Sequence, residues 1–78
     1  MIKDKIKGLI TITGHNQIEI AEKKGISRQQ LNNKISKNAF RINDLIELAE
    51  MTGTILAFND KTTGKPLIEF DISDLKSE

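Results

Sequence analysis

The residues of greatest chemical interest are amides and a hydroxyl that recur along one predicted helix, residues 28–37. Leu31 and Ile35 are one helical turn apart and form its inner face. At about 100° per residue, the opposite face collects Gln29, Asn32, Asn33 and Ser36. Amides both donate and accept hydrogen bonds, as the edges of DNA bases do, and this face carries no apolar anchor and no carboxylate. The composition therefore favours a surface for duplex DNA over one for docking a protein.

Other chemistry is poorly supported by the 78 residues. There is no cysteine, and His15 is the one histidine, so we expect no metal site. The chain has no Walker phosphate loop, zinc-binding His-Glu-x-x-His or nucleophile elbow, and His15 is interpreted as a loop residue, near a phosphate at most. We therefore expect no enzymatic activity, no cofactor and no small-molecule ligand. Three phenylalanines are too few to form an aromatic surface on which the bases of single-stranded nucleic acid could stack.

The charges are segregated along the chain. Residues 1–41 carry nine cations against three anions, a net +6, whereas residues 42–78 carry three cations against eight anions, a net −5. A basic part beside an acidic part indicates one surface that meets a polyanion, unless the segregation is a chance feature of a solvated surface. The N-terminus lacks a long apolar stretch and no segment is long enough to span a membrane, so we expect a cytoplasmic protein without membrane contact.

Two capping signals place the helices around the amide face. Asn16 precedes a helix predicted over residues 17–24, and Ser27 precedes the one over residues 28–37; Glu19 and Gln30 follow these caps at capping-box spacing. Gly25 is expected to make the turn between them with a positive φ. The pattern is a helix-turn-helix, in which the second helix is free to enter a major groove about 12 Å wide.

Further helices are predicted on either side. Ile2, Ile6, Leu9 and Ile10 form an apolar stripe over residues 2–13, which Gly14 ends. A fourth helix is predicted over residues 44–52, with Asn43 as its cap. Phe40 and Ile42, in the loop before it, are expected to plug the core.

In the C-terminal part of the chain, the spacing of the apolar residues no longer follows the helical period. Residues 54–59 and 67–71 are short and apolar, and the turn-forming stretch 60–66 lies between them, which predicts a β-hairpin. A lone hairpin is marginal in water, so it must pack on the helices or on a partner. We divide the chain into a DNA-binding part, residues 1–53, and a hairpin and tail, residues 54–78.

The helix-turn-helix segment resembles the Xre/Cro/phage-repressor family. The family's pattern of Gln, then Ala, then Gly is matched by Gln17, Ala21 and Gly25. The Ile-Ser and Leu that follow in the family are matched by residues 26, 27 and 31. The similarity covers roughly residues 1–53 and implies a mainly α fold, a four-helix bundle like that of lambda repressor followed by a C-terminal β-hairpin. The sequence departs from the family at Lys24 and Lys34, where apolar residues are usual, which indicates a slightly rotated or shifted third helix.

The resemblance also implies roles for individual residues. By this resemblance, the DNA bases are contacted by Arg28, Gln29, Asn32 and Asn33. Contacts to the DNA backbone fall to Asn16, Gln17, Ser27, Ser36, Lys37, Asn38 and Arg41, although Ser27 is more readily explained as a helix cap. Family members commonly pair to read two half-sites about 34 Å apart, so a homodimer through the apolar hairpin is expected.

Three functions remain open at this point. The first is a bacterial, phage or mobile-element transcription regulator that binds a specific duplex site. The second is an antitoxin or assembly module that uses the same fold to bind protein. The third is an accessory factor for plasmid transfer, whose DNA recognition would follow the same physics. Ile18, at the start of the second helix, has no assigned role.

Overall fold

The computed structural model describes residues 1–77, which are mainly helical and end in a two-stranded antiparallel hairpin. In chain order the elements of these residues are α1 (Ile2–Ile12), α2 (Gln17–Lys24), α3 (Arg28–Ser36), α4 (Ile42–Thr52), β1 (Leu56–Asn59), β2 (Pro66–Phe70) and a 3₁₀ helix (Ile72–Ser77). They group into two compact units, residues 1–41 and residues 42–78. The helix predicted fourth is thus grouped with the hairpin. None of the described helices is long and apolar enough to cross a membrane.

The predicted helix starts of α2 and α3 are confirmed. Asn16 Oδ1 accepts the N–H of Glu19 at 2.9 Å, and Glu19 Oε1 accepts the N–H of Asn16 at 3.3 Å, which completes a capping box. Ser27 and Gln30 form a second box, with distances of 3.1 and 2.8 Å. Each box provides acceptors for two N–H groups that the first turn of a helix cannot satisfy.

Gly25 links α2 to α3 in the left-handed conformation, with φ 73° and ψ 29°. Its N–H and that of Ile26 bond to the carbonyls of Glu22 and Ala21, at 3.1 and 3.0 Å. The turn therefore satisfies the end of α2 while redirecting the chain into α3 within three residues. The positive φ predicted for Gly25 is confirmed.

The first unit has an aliphatic core. Its buried side chains come from all three of its helices: Ile6, Ile10, Ile20, Ala21, Leu31 and Ile35. Ala21 is 2 % exposed, which agrees with its predicted position where α3 packs closely on α2. Ile2, also predicted for the stripe of α1, is 60 % exposed because it occupies the first position of the helix, beyond the packed face.

The start of α4 differs from the prediction. The helix begins at Ile42, so Asn43 is already helical and cannot be its cap. Ile42 lies in the helix, not in the loop, and it is 52 % exposed. It continues the stripe of Ile46 by one turn past the covered part of that face, which is why it does not plug a core. Phe40 stays in the loop and is half-buried.

The hairpin has a defined register. Leu56 pairs with Phe70, Ala57 with Glu69 and Phe58 with Ile68, and a bulge follows between Phe58 and Asn59. In the turn, Asp60 Oδ1 accepts the N–H groups of Thr62 and Thr63, at 2.8 and 2.9 Å. Both strands fall within two residues of their predicted bounds. The first is shorter because the N–H of Thr54 bonds back to Ala49 at the end of α4, at 2.9 Å.

Candidate nucleic-acid interface

The polar face of α3 points away from the core of its unit. Leu31 and Ile35 are both 0 % exposed, whereas Gln29, Asn32 and Asn33 are exposed. The side-chain directions predicted from the helical period are therefore confirmed. Arg28 and Ser36 are exposed too, so α3 presents a surface of amides, hydroxyl and guanidinium.

The start of α2 lies beside this surface. Gln17, Arg28, Gln29 and Asn32 together line one open depression. Sequence reasoning gave Gln17 a backbone contact and the other three base contacts, and the fold places these side chains next to one another. Asn33 is not part of the depression and lies further around α3.

A second depression surrounds the first turn of α2. Lys7, His15, Asn16, Gln17, Ile18 and Arg28 are among its lining residues. The N–H groups of Gln17 and Ile18, in that first turn, have no partner inside the helix. Two cationic side chains thus flank unpaired N–H donors at the positive end of a helix, an arrangement that suits a phosphate oxygen.

Sequence reasoning missed Lys7. The sequence does not reveal its place beside α2, because that place depends on how α1 packs in the folded unit. The same depression suggests a role for Ile18, which is 53 % exposed. Its backbone N–H, in the first turn of α2, has no partner inside the helix.

Asn16 and Ser27 are engaged as helix caps. Each side-chain oxygen accepts a backbone N–H of its own capping box. Ser27 therefore has the structural role that sequence reasoning ranked first. A contact from either residue to a phosphate would use a donor that the cap leaves available, since hydroxyl and amide groups both donate.

His15 forms a local hydrogen bond just before α2. Its Nδ1 lies 3.0 Å from Glu19 Oε2. The hydrogen bond from His15 lowers the pKa of the Glu19 carboxyl below its ordinary value, with help from the N–H of Asn16. The capping carboxylate is therefore ionised at neutral pH, and it lies at the positive end of the α2 dipole.

The two departures from the family pattern share one aromatic ring. The Nζ atoms of Lys24 and Lys34 each lie 5.9 Å from the centroid of the Phe40 ring. Both lysines are half-buried, and their ammonium groups lie within cation–π distance of the ring. Lysine is accommodated here because Phe40 supplies a π face.

The end of α3 turns through Asn38. Asn38 has φ 54°, the one positive φ of a non-glycine residue among the described residues. The N–H of Ala39 bonds to the carbonyl of Lys34 at 2.8 Å and closes the helix end. Asn38 thus has a structural role that sequence reasoning missed, since Asn tolerates the left-handed conformation better than most residues. The remaining backbone-contact candidates at this end, Ser36, Lys37 and Arg41, are exposed.

All eleven candidate contact residues belong to the first compact unit, which ends at Arg41. That boundary coincides with the change in charge, so the net +6 belongs to the unit that carries α2 and α3. The charge segregation is therefore a property of spatial units as well as of the sequence. Among the side chains that the structure describes, none group into a cluster suited to hold a metal ion.

Comparison of the chain with models of protein families, with characterised proteins and with solved structures finds no match.

Proposed function

We propose that the chain binds double-stranded DNA at a specific sequence, with α2 and α3 as a helix-turn-helix of the lambda-repressor type, and acts as a transcription regulator. The observation that carries the proposal is the outer surface of α3. It joins Gln29, Asn32 and Asn33 in one exposed face without a carboxylate. Gln and Asn bond adenine in a bidentate manner, and Arg28 has the geometry to bond O6 and N7 of guanine.

Electrostatics supports the same surface. The unit that carries α3 has a net charge of +6, which would attract the duplex and orient it before base contacts form. The first turn of α2, with Lys7 and Arg28 beside it, offers a phosphate contact next to the amide face. Phosphate contacts at α2 would fix the register of α3 on the bases.

The binding experiment has two stages. Selection from a random duplex pool identifies the preferred site, and fluorescence anisotropy then measures Kd for that site and for a scrambled duplex over a range of salt. We expect a steep loss of affinity as salt rises, with a slope near −0.9 for each phosphate neutralised. Absence of any enriched sequence, or a Kd independent of salt, would contradict the proposal.

Variants separate base contacts from phosphate contacts. Gln29→Ala should weaken binding to the selected site by about 1–3 kcal/mol while affecting the scrambled duplex little. Lys37→Ala should weaken binding to both duplexes, and it should reduce the slope of affinity against salt by about one. Lys3→Ala, an exposed lysine of α1 to which no contact is assigned, is the matched control and should change neither affinity.

The second function to be weighed is protein binding, as in an antitoxin or assembly module. The specific observation in its favour is the exposed apolar hairpin, where Phe58 and Leu67 are 68 % and 67 % exposed. The hairpin and α3 belong to different compact units. Salt-independent capture of a protein, without duplex binding, would favour this second function. Regulation and plasmid transfer are distinguished by where the selected site occurs in a genome.

A further inference from the structure

The hairpin exposes several large apolar side chains to solvent. Ile55, Phe58, Leu67 and Ile68 are each between 60 % and 68 % exposed. Phe58 and Ile68 lie directly opposite each other on one face, and Leu67, next along β2, points to the other face. A two-stranded hairpin is only marginally stable in water. The exposed residues therefore indicate that another strand or surface completes the sheet.

The two edges of the hairpin differ in chemistry. The β1 edge, residues 54–59, contains no proline and no charged residue. The β2 edge begins with Pro66, which has no N–H to donate, and also carries Glu69. Proline and charge are the usual means by which proteins prevent strands from pairing at an edge. Only the β1 edge lacks this protection.

We propose that a second copy of this chain pairs with the β1 edge, antiparallel and centred on Ala57. Two-fold symmetry then brings Ala57 opposite Ala57 of the second copy, and Phe58 opposite Leu56 of the second copy. The result is a four-stranded sheet in the order β2-β1-β1-β2, and each β1 edge is satisfied by main-chain hydrogen bonds. Phe58 becomes part of an apolar face that spans both copies.

Charge favours this orientation. Lys61 and Lys65 lie in the turn at the tip of the hairpin. Glu50, Glu69, Asp71 and Asp74 line a depression at its base. Antiparallel pairing places the tip of each hairpin beside the base of the other, so lysines meet carboxylates. A parallel pairing would bring the acidic bases together.

The pairing does not depend on DNA binding. If the proposed function also holds, a two-fold pair would carry two copies of α3 and would select an inverted-repeat site. Because the test below contains no DNA, its failure leaves the proposed function intact.

The test uses the absence of cysteine from the chain. Ala57→Cys and Glu69→Cys place single thiols at directly paired positions on the same face of the hairpin. In the proposed sheet the Cα atoms of position 57 in the two copies are about 4.5–5.5 Å apart, within the range of a disulfide. The Cα atoms of position 69 in the two copies are three strand spacings apart, about 14 Å, which is too far. Each variant is oxidised at micromolar concentration, and the disulfide-linked dimer is followed on non-reducing gels. Circular dichroism checks that both reduced variants fold.

We expect Ala57→Cys to cross-link at least tenfold faster than Glu69→Cys, and to lose this advantage in urea. The unmodified protein should sediment as a dimer at the same concentration. Equal rates would mean that the copies do not pair through β1, and faster cross-linking of Glu69→Cys would assign the contact to β2. A monomer in sedimentation would overturn the proposal whatever the cross-linking rates.

Discussion

Gly25 gives the sharpest test of how the α2–α3 turn is built. The residue has φ 73°, and a Cβ added there would meet no heavy atom within 4 Å. Gly25→Ala therefore adds no clash, and its cost is the left-handed conformation alone, about 1–2 kcal/mol. Gly8 lies inside α1, and an added Cβ there also meets nothing within 4 Å. Gly8→Ala should stabilise the protein by about 0.8–1.0 kcal/mol, since Ala is the better helix former.

The two substitutions are chemically identical and opposite in predicted sign. Their free energies of unfolding should differ by about 2–3 kcal/mol. Urea denaturation followed by circular dichroism measures this difference directly. In a domain of this size each kcal/mol corresponds to roughly 4–8 °C in Tm.

Gly25→Asn distinguishes a requirement for backbone conformation from one for close packing. Asn adopts the left-handed conformation more readily than Ala, so this variant should be more stable than Gly25→Ala. If Asn is as costly as Ala or worse, the turn has no room for a side chain and the geometric reasoning fails. Gly25→Ala stabilising to the extent of Gly8→Ala would refute the left-handed turn itself.

Two further predictions concern the core and the cap. Leu31→Ala removes a fully buried side chain and should destabilise the protein by about 2–5 kcal/mol, whereas Ile12→Ala, at a position 85 % exposed, should change stability by less than about 0.5 kcal/mol; equal effects in thermal unfolding would show that the core is misassigned. For Glu19, the lowered pKa means that the unfolded chain binds the proton more readily. Its stabilising effect is therefore present above the ordinary value of 4.5 and is lost as the pH falls through the lowered value. Glu19→Gln retains a capping side chain and should flatten this part of the acid-unfolding curve. An unchanged curve would mean that the hydrogen bond between His15 and the Glu19 carboxylate does not stabilise the fold.

Local signals determined which features were predictable from the sequence. Both capping boxes and the turn at Gly25 were predicted correctly because they depend on residues at most five positions apart. The outward direction of Gln29 and Asn33 followed from the helical period once Leu31 was assigned to the core.

Features that depend on tertiary packing were not predictable. The position of Lys7 beside α2 requires α1 to be docked. The shared ring of Phe40 explains two lysines that looked out of place, but their convergence on it is visible only in the folded unit. Asn43 was a reasonable cap by residue type, yet α4 begins two residues before the predicted start, and no local signal marks Ile42 as helical.

The most direct test of the central claim is an NMR titration of ¹⁵N-labelled protein with the selected duplex. The side-chain amide resonances of Gln29, Asn32 and Asn33 should shift together with the backbone N–H groups of Gln17 and Ile18. The resonances of the hairpin turn, residues 60–65, should remain in place apart from uniform broadening. Shifts confined to α4 and the hairpin, with the α3 amides unmoved, would contradict the claim that this face of α3 reads DNA.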